Sequence, residues 1–237
     1  MSNSTMMILI FLFRPCSLRR GHQVYKEVCA ACHSLNYIAW RNLIETLYTE
    51  EEVVAMAAET EVEDGPNDDG EMFTRPGKPT DYLPRPSPNE EAARSANAGA
   101  IPPDLTEMVK AREQGADYIF ALLTGYMPAP SGLNVREGLY YSPYFPGGAI
   151  GMPPPLNDGM LEYEDGTEAS VSQMAKDVSA FLCWTARPEQ DERRVMGIKV
   201  LIYLGALFGC SWYIKRFKWS VLKNRKVQFP GKNWPTV

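Results

Sequence analysis

Two cysteines and a histidine fall within five residues, Cys29-Ala30-Ala31-Cys32-His33. Thiols one helical turn apart can each bond a vinyl group of the same porphyrin, and the adjoining imidazole is then held against the iron; this is the c-type haem attachment spacing. With 5 Cys and 2 His among 237 residues, about one random sequence in a thousand would contain the pattern. A redox-active dithiol asks for a βαβ context that this stretch lacks. A structural zinc needs four ligands, and the other cysteines, Cys16, Cys183 and Cys210, form no second close pair.

An iron bound by His33 needs a second axial group. His22, the only other imidazole, lies eleven residues earlier on the same helical stretch and reads as a solvated or packing side chain. A methionine would complete a Met/His pair, which raises the reduction potential. Of the eleven methionines, Met152 stands out, because the Pro- and Gly-flanked loop GGAIGMPPPL can press a thioether onto iron. Met108, Met160 and Met174 read as core, and the residues alone leave the choice open.

The elements that position these groups follow from periodicity. Residues 21–48 carry Val24, Val28, Leu35, Ile38, Leu43 and Leu47 at helical intervals, which predicts one or two helices around the Cys pair. Thr49 and the acids after it open a short helix through Ala58. Further helices are expected at 90–97, 103–110, 115–125 and, from a Ser170 cap, 170–186. Residues 59–90 and 127–155 read as long loops, rich in Pro and Gly, and no strand signal is persuasive.

Residues 195–214 are apolar except for Lys199, enough to cross a hydrocarbon core of about 30 Å. Arg193 and Arg194 precede this span, Trp212 and Tyr213 form an aromatic belt, and KRFKWSVLKNRK follows. The apolar run Met6–Phe13 is too short to span. Charge is uneven: of 24 Lys and Arg, ten lie in residues 193–237 with no acid among them, which leaves residues 1–192 with 14 basic residues against all 29 acids, a net −15. The positive-inside rule then keeps the tail on the cytoplasm-like side and the acidic domain opposite. Lipid is an expected partner and nucleic acid is not.

The runs RRGHQVYKEVCAACHSL, DGPNDDGEMFTRPGK, NAGAIPPDLTEMVKAREQGADYIFALLTGY, YYSPYFPGGAIGMPPP, EYEDGT and KRFKWSVLKNRK resemble the cytochrome c1 family from Arg19 to the C-terminus. Members of that family normally carry a longer targeting presequence before RRG. The resemblance implies a haem c subunit of a quinol:cytochrome c reductase (bc1) complex, with cytochrome b and the Rieske iron-sulfur protein beside it and soluble cytochrome c as acceptor. It implies Met152 as axial ligand opposite His33, Arg112 and Tyr118 beside the haem propionates, and Asn97, Pro102 and Pro103 in the pocket wall. It implies the inner mitochondrial membrane, the haem domain facing the intermembrane space and the C-terminus in the matrix.

The expected architecture is all-α, a cytochrome c-like haem domain with long loops plus one C-terminal transmembrane helix. It divides into an atypical N-terminal segment (1–20), the haem domain (21–192), the anchor helix (193–216) and a basic tail (217–237). Glu59, Glu61, Glu63, Asp64, Asp68, Asp69 and Glu71 are candidates for contact with basic partners, or a loop kept soluble by charge. A diverged membrane-anchored haem c protein with an assembly or sensing role is the alternative to electron transfer.

Overall fold

The computed structural model describes residues 15–226 of the chain. The apolar run Met6–Phe13 and the last residues of the basic tail, 227–237, lie outside the described residues. The chain divides into two compact units, one ending at residue 188 and one beginning at residue 189.

The first unit is built around two helices distant in sequence, α1 (Pro15–Glu27) and a long helix further on, α6 (Val171–Ala186). Helix α1 begins six residues before the periodic stretch that predicted it, and Leu18 is part of the core. The early start is hidden in the sequence by Arg19 and Arg20, whose charges find partners far along the chain. The Arg20 guanidinium meets the fully buried Asp177 carboxylate at 2.7 Å and Asp165 at 2.7 Å. Ser17 Oγ and Gln173 Nε2 also donate to Asp177, at 2.6 and 2.7 Å. A buried carboxylate is tolerated when paired and hydrogen-bonded in this way.

Packing between the two helices is close because residue 21 is glycine. A Cβ there would lie 2.1 Å from the Asp177 carbonyl oxygen and 2.6 Å from the Phe181 Cβ. Around this crossing Phe181 stacks on Trp184 with centroids 5.8 Å apart and meets the His22 ring edge-on at 5.5 Å. Val24, Tyr25, Met174, Val178 and Leu182 complete the core there.

Between these helices come α2 (Glu50–Ala58), α3 (Glu90–Ala96), α4 (Met108–Ala111) and α5 (Ala116–Thr124). Thr49 and Glu52 form the capping box that starts α2, and Asn89 and Ser170 cap α3 and α6, each satisfying an amide that helix geometry leaves free. Helix α4 is only four residues long, shorter than the 103–110 expected: the Leu105 amide is taken by the Ser34 carbonyl and the Thr106 amide by the Asp104 carboxylate, so neither enters a helix.

The expectation of an all-α domain without strands needs correcting. Residues 59–90 are not all loop: β1 (Glu61–Asp64) pairs antiparallel with β2 (Phe73–Pro76). A second ladder joins β3 (Tyr140–Tyr141) to β4 (Ala149–Ile150) within the other predicted loop. Both are two-stranded and short, so the domain remains mostly helical. They escaped the sequence reading because neither buries a face, and without burial no apolar alternation is required.

Among the described residues the second unit is one helix, α7 (Gln190–Lys223), 34 residues long. It is long and apolar enough to cross a membrane, and none of its apolar window is buried, which sets it apart from a core helix. At 1.5 Å per residue it spans about 50 Å, so the apolar stretch predicted at 195–214 is its middle.

Candidate functional site

The chain leaves α1 at Glu27 and turns through a 3-10 segment, Cys29–Ala31. The Cys32 and His33 amides both donate to the Cys29 carbonyl, at 3.1 and 2.8 Å. This turn, rather than a helix continuing through the motif, sets the spacing of the thiols. Both are free, Cys29 half-buried and Cys32 exposed. Burial, with Cys32 close by, pushes the Cys29 thiol up to about 12, so it is held protonated.

His33 is half-buried, and its Nδ1 donates to the Pro103 carbonyl at 2.8 Å. That bond fixes the tautomer: with the proton on Nδ1, the Nε2 lone pair is left for a ligand. Burial lowers the imidazole pKa, opposed by the Pro103 hydrogen bond and the Asp104 charge. The neutral, metal-binding form is thereby favoured. The Tyr25 hydroxyl donates to the His33 carbonyl at 3.1 Å, tying the motif back to α1.

Met152 follows β4, half-buried, in a loop whose carbonyl at Met152 accepts from the Tyr126 hydroxyl at 3.1 Å. Desolvation, with Tyr118 as a second cause, raises Tyr126 to about 12, so it stays a donor at neutral pH. Tyr118 lies on α5 and packs against the core. Pro103 is brought onto His33. Asn97 and Arg112, by contrast, make local bonds: Asn97 Nδ2 donates to the Ala93 carbonyl at 2.8 Å, and the exposed Arg112 to that of Ala111 at 3.0 Å. Pro102 is half-buried beside Pro103.

Two residues outside the expected set shape the site. Asp104 links the segments that follow His33 and Pro103, accepting from Ser34, Asn36 and Thr106. Its turn with Thr106, an Asx pattern, was the only local signal for it. Tyr126 anchors the Met152 loop and carried no signal.

The donor set suits a covalently held haem. Two free thiols and an imidazole with a free Nε2 stand on one turn. The segments carrying the other expected residues leave Ile101, Phe120, Met127 and Leu139 exposed, apolar surface of the kind a porphyrin would cover. Among the described residues no group of three His, Cys, Asp or Glu gathers to hold a metal ion, so the zinc reading gains no support. His22 is buried in the core with Nδ1 2.9 Å from the Tyr48 hydroxyl; it is a packing histidine.

The seven acids near the first hairpin are not equivalent. Asp64 is bonded to Arg75, and Glu59 lies 3.9 Å from Lys26. Glu61 and Glu63 are exposed two residues apart along β1, on one face of the strand.

A family model described as the cytochrome C1 family matches residues 10–222. A relative from Solanum tuberosum, "Cytochrome c1-2, heme protein, mitochondrial", is 59% identical over 89% of this chain and 81% of its own length. "Cytochrome c1 2, heme protein, mitochondrial" of Arabidopsis thaliana is 60% identical over 89% of this chain and 69% of its own. "Cytochrome b-c1 complex catalytic subunit, mitochondrial" of Candida albicans is 56% identical, covering 92% and 76%.

Proposed function

The chain belongs to the cytochrome c1 family, and on that premise we propose that it carries one haem c, bonded at Cys29 and Cys32 and ligated by His33 and Met152, and relays electrons within a mitochondrial quinol:cytochrome c reductase. The reading is supported by the name of the Candida albicans relative, a catalytic subunit of a cytochrome b-c1 complex. The observation that carries it is the committed Nδ1 of His33, which leaves Nε2 free one residue from a free thiol.

Haem supplies a reversible one-electron change at iron, and the protein supplies attachment, orientation and electrostatics. Cys29 and Cys32 fix the porphyrin to the turn after α1. His33 presents a neutral imidazole whose orientation Pro103 holds. Met152 offers a soft thioether from a loop anchored by Tyr126. Arg112, proposed beside a propionate with Tyr118, places positive charge where it favours the reduced state and so holds the potential up. Asn97, Pro102 and Pro103 line the pocket in this reading.

In this proposal electrons arrive from the Rieske iron-sulfur protein and leave to soluble cytochrome c, with cytochrome b as a neighbour in the complex. Helix α7 anchors the chain in the inner mitochondrial membrane, its basic C-terminal end in the matrix and the haem domain in the intermembrane space. The mitochondrial relatives support the location, and the concentration of Lys and Arg after residue 214 supports the orientation. Glu61, Glu63, Asp68, Asp69 and Glu71 form the face offered to a basic partner, so the electron-transfer rate to soluble cytochrome c falls with added salt. A rate indifferent to ionic strength would remove that face from the proposal.

The decisive measurement is acid-acetone extraction followed by a pyridine haemochrome spectrum of the matured chain. Colour retained by the polypeptide, with a band position reporting two thioethers, is expected; extracted haem overturns the reading. Reduced protein that resists CO supports a relay with a closed iron, and full CO binding would favour a sensing role instead.

A further inference from the structure

The hydrogen bond that orients His33 depends on a carbonyl that its own residue cannot steady. Pro102 and Pro103 have no backbone N–H, so the segment presenting the Pro103 carbonyl has no donor of its own until residue 104. Residues 101–105 adopt no regular structure, and no helix or ladder fixes that peptide plane.

Asp104 supplies the missing constraint. Its Oδ2 accepts from Ser34 Oγ at 3.0 Å and from the Asn36 amide at 2.7 Å, and its Oδ1 accepts from the Thr106 amide at 2.9 Å. The Leu105 amide donates to the Ser34 carbonyl at 2.9 Å. Thr185 on α6 donates to the Thr106 carbonyl at 3.1 Å. One carboxylate therefore grips the residue after His33 and the residues after Pro103 together. Bonds to an ionised acceptor are about twice as strong as neutral ones.

We propose that Asp104 is a positioning residue for the haem iron: by locking residues 34–36 to residues 104–106 it sets the Pro103 carbonyl against His33 Nδ1, and through that bond the orientation and basicity of the axial imidazole. Weakening the bond makes the imidazole a poorer donor, stabilises ferric iron less and raises the potential. The inference rests on His33 being the iron ligand.

The test uses the full-length, haem-loaded protein in its membrane, read by the low-spin ferric EPR signal and by redox titration. D104A moves the EPR signal and raises the midpoint potential. S34A, which removes one donor and no charge, moves both the same way by less. D104N, which keeps one acceptor oxygen, falls between wild type and D104A. Equal rises in D104N and D104A, with S34A unmoved, mean that the carboxylate acts by charge alone, and overturn the inference. If D104A does not accumulate, an unmoved EPR signal in S34A overturns it unaided. Wild-type protein without covalently retained haem would take down the His33 reading as well, whereas a normal wild-type spectrum with silent variants removes only the role of Asp104.

Discussion

The segment around His33 and the segment around Met152 are held by different means. His33 follows a helix packed on α6 through Gly21, Tyr25 and Phe181, and its ring and backbone are each hydrogen-bonded. Met152 hangs between a two-residue ladder and the buried Leu156, with one hydroxyl bond from Tyr126 to its carbonyl. A site mounted on packed helices is held more closely than one on a loop. The attachment side is therefore the fixed reference and the methionine side the adjustable one.

The largest expected effect separates the two directly. His33→Ala should abolish a stable low-spin haem, whereas Met152→Ala should leave haem attached and open the iron to CO, as a haem stain of a denaturing gel and a CO difference spectrum would show. A Met152→Ala protein that still refused CO would move the second ligand elsewhere.

Next comes the packing that supports the His33 side. Phe181 is fully buried, and Phe181→Ala should cost about 3–5 kcal/mol of haem-domain stability, measured by denaturant titration. A loss under about 1 kcal/mol would mean that the α1–α6 crossing is not what holds this side.

Acid should loosen the same region. Burial lowers His22 from 6.5 to about 4, so the folded state keeps it neutral where the unfolded chain binds a proton. Its contribution is intact above pH 6.5 and is lost as pH falls toward 4, in all about 3 kcal/mol. Replacing His22 with Gln should flatten stability across that window; an unchanged pH profile would shift the cause to the carboxylates.

The smallest effect belongs to the loop. Tyr126→Phe removes one hydrogen bond, worth about 1 kcal/mol, and should raise the CO-reactive fraction slightly while leaving attachment unchanged and lowering the denaturation midpoint far less than Phe181→Ala does. If it destabilised the domain as much as Phe181→Ala, the distinction between the two sides would collapse.

What could be read without coordinates was what is local. The Cys-X-X-Cys-His spacing, the Thr49–Glu52 box and the Ser170 cap each lie within a few residues, so their physics is written in adjacent letters. Asp104 was not legible because Ser34 and Asn36, its partners, lie 70 and 68 residues away. Arg20 disguised the start of α1 for the same reason, its buried counterion being 157 residues on. The first hairpin was missed because β1 is Glu-Val-Glu-Asp and its partner ends in proline, a composition that reads as loop until the Arg75 ion pairs to Asp64 and Asp81 are seen. Asn97 and Arg112 were named through resemblance, and their side chains make local bonds.

The close crossing at Gly21 also bears on the order in which the chain can mature. Helix α1 is made early in synthesis and α6 late, so the face of α1 that meets Asp177 and Phe181 has nothing to rest on until most of the polypeptide has emerged. Closing so long a loop costs only slightly more than closing a short one, yet it cannot happen sooner. Until α6 docks, the turn bearing both thiols hangs from a helix whose core face is uncovered, and Cys32 stays exposed once the core is complete.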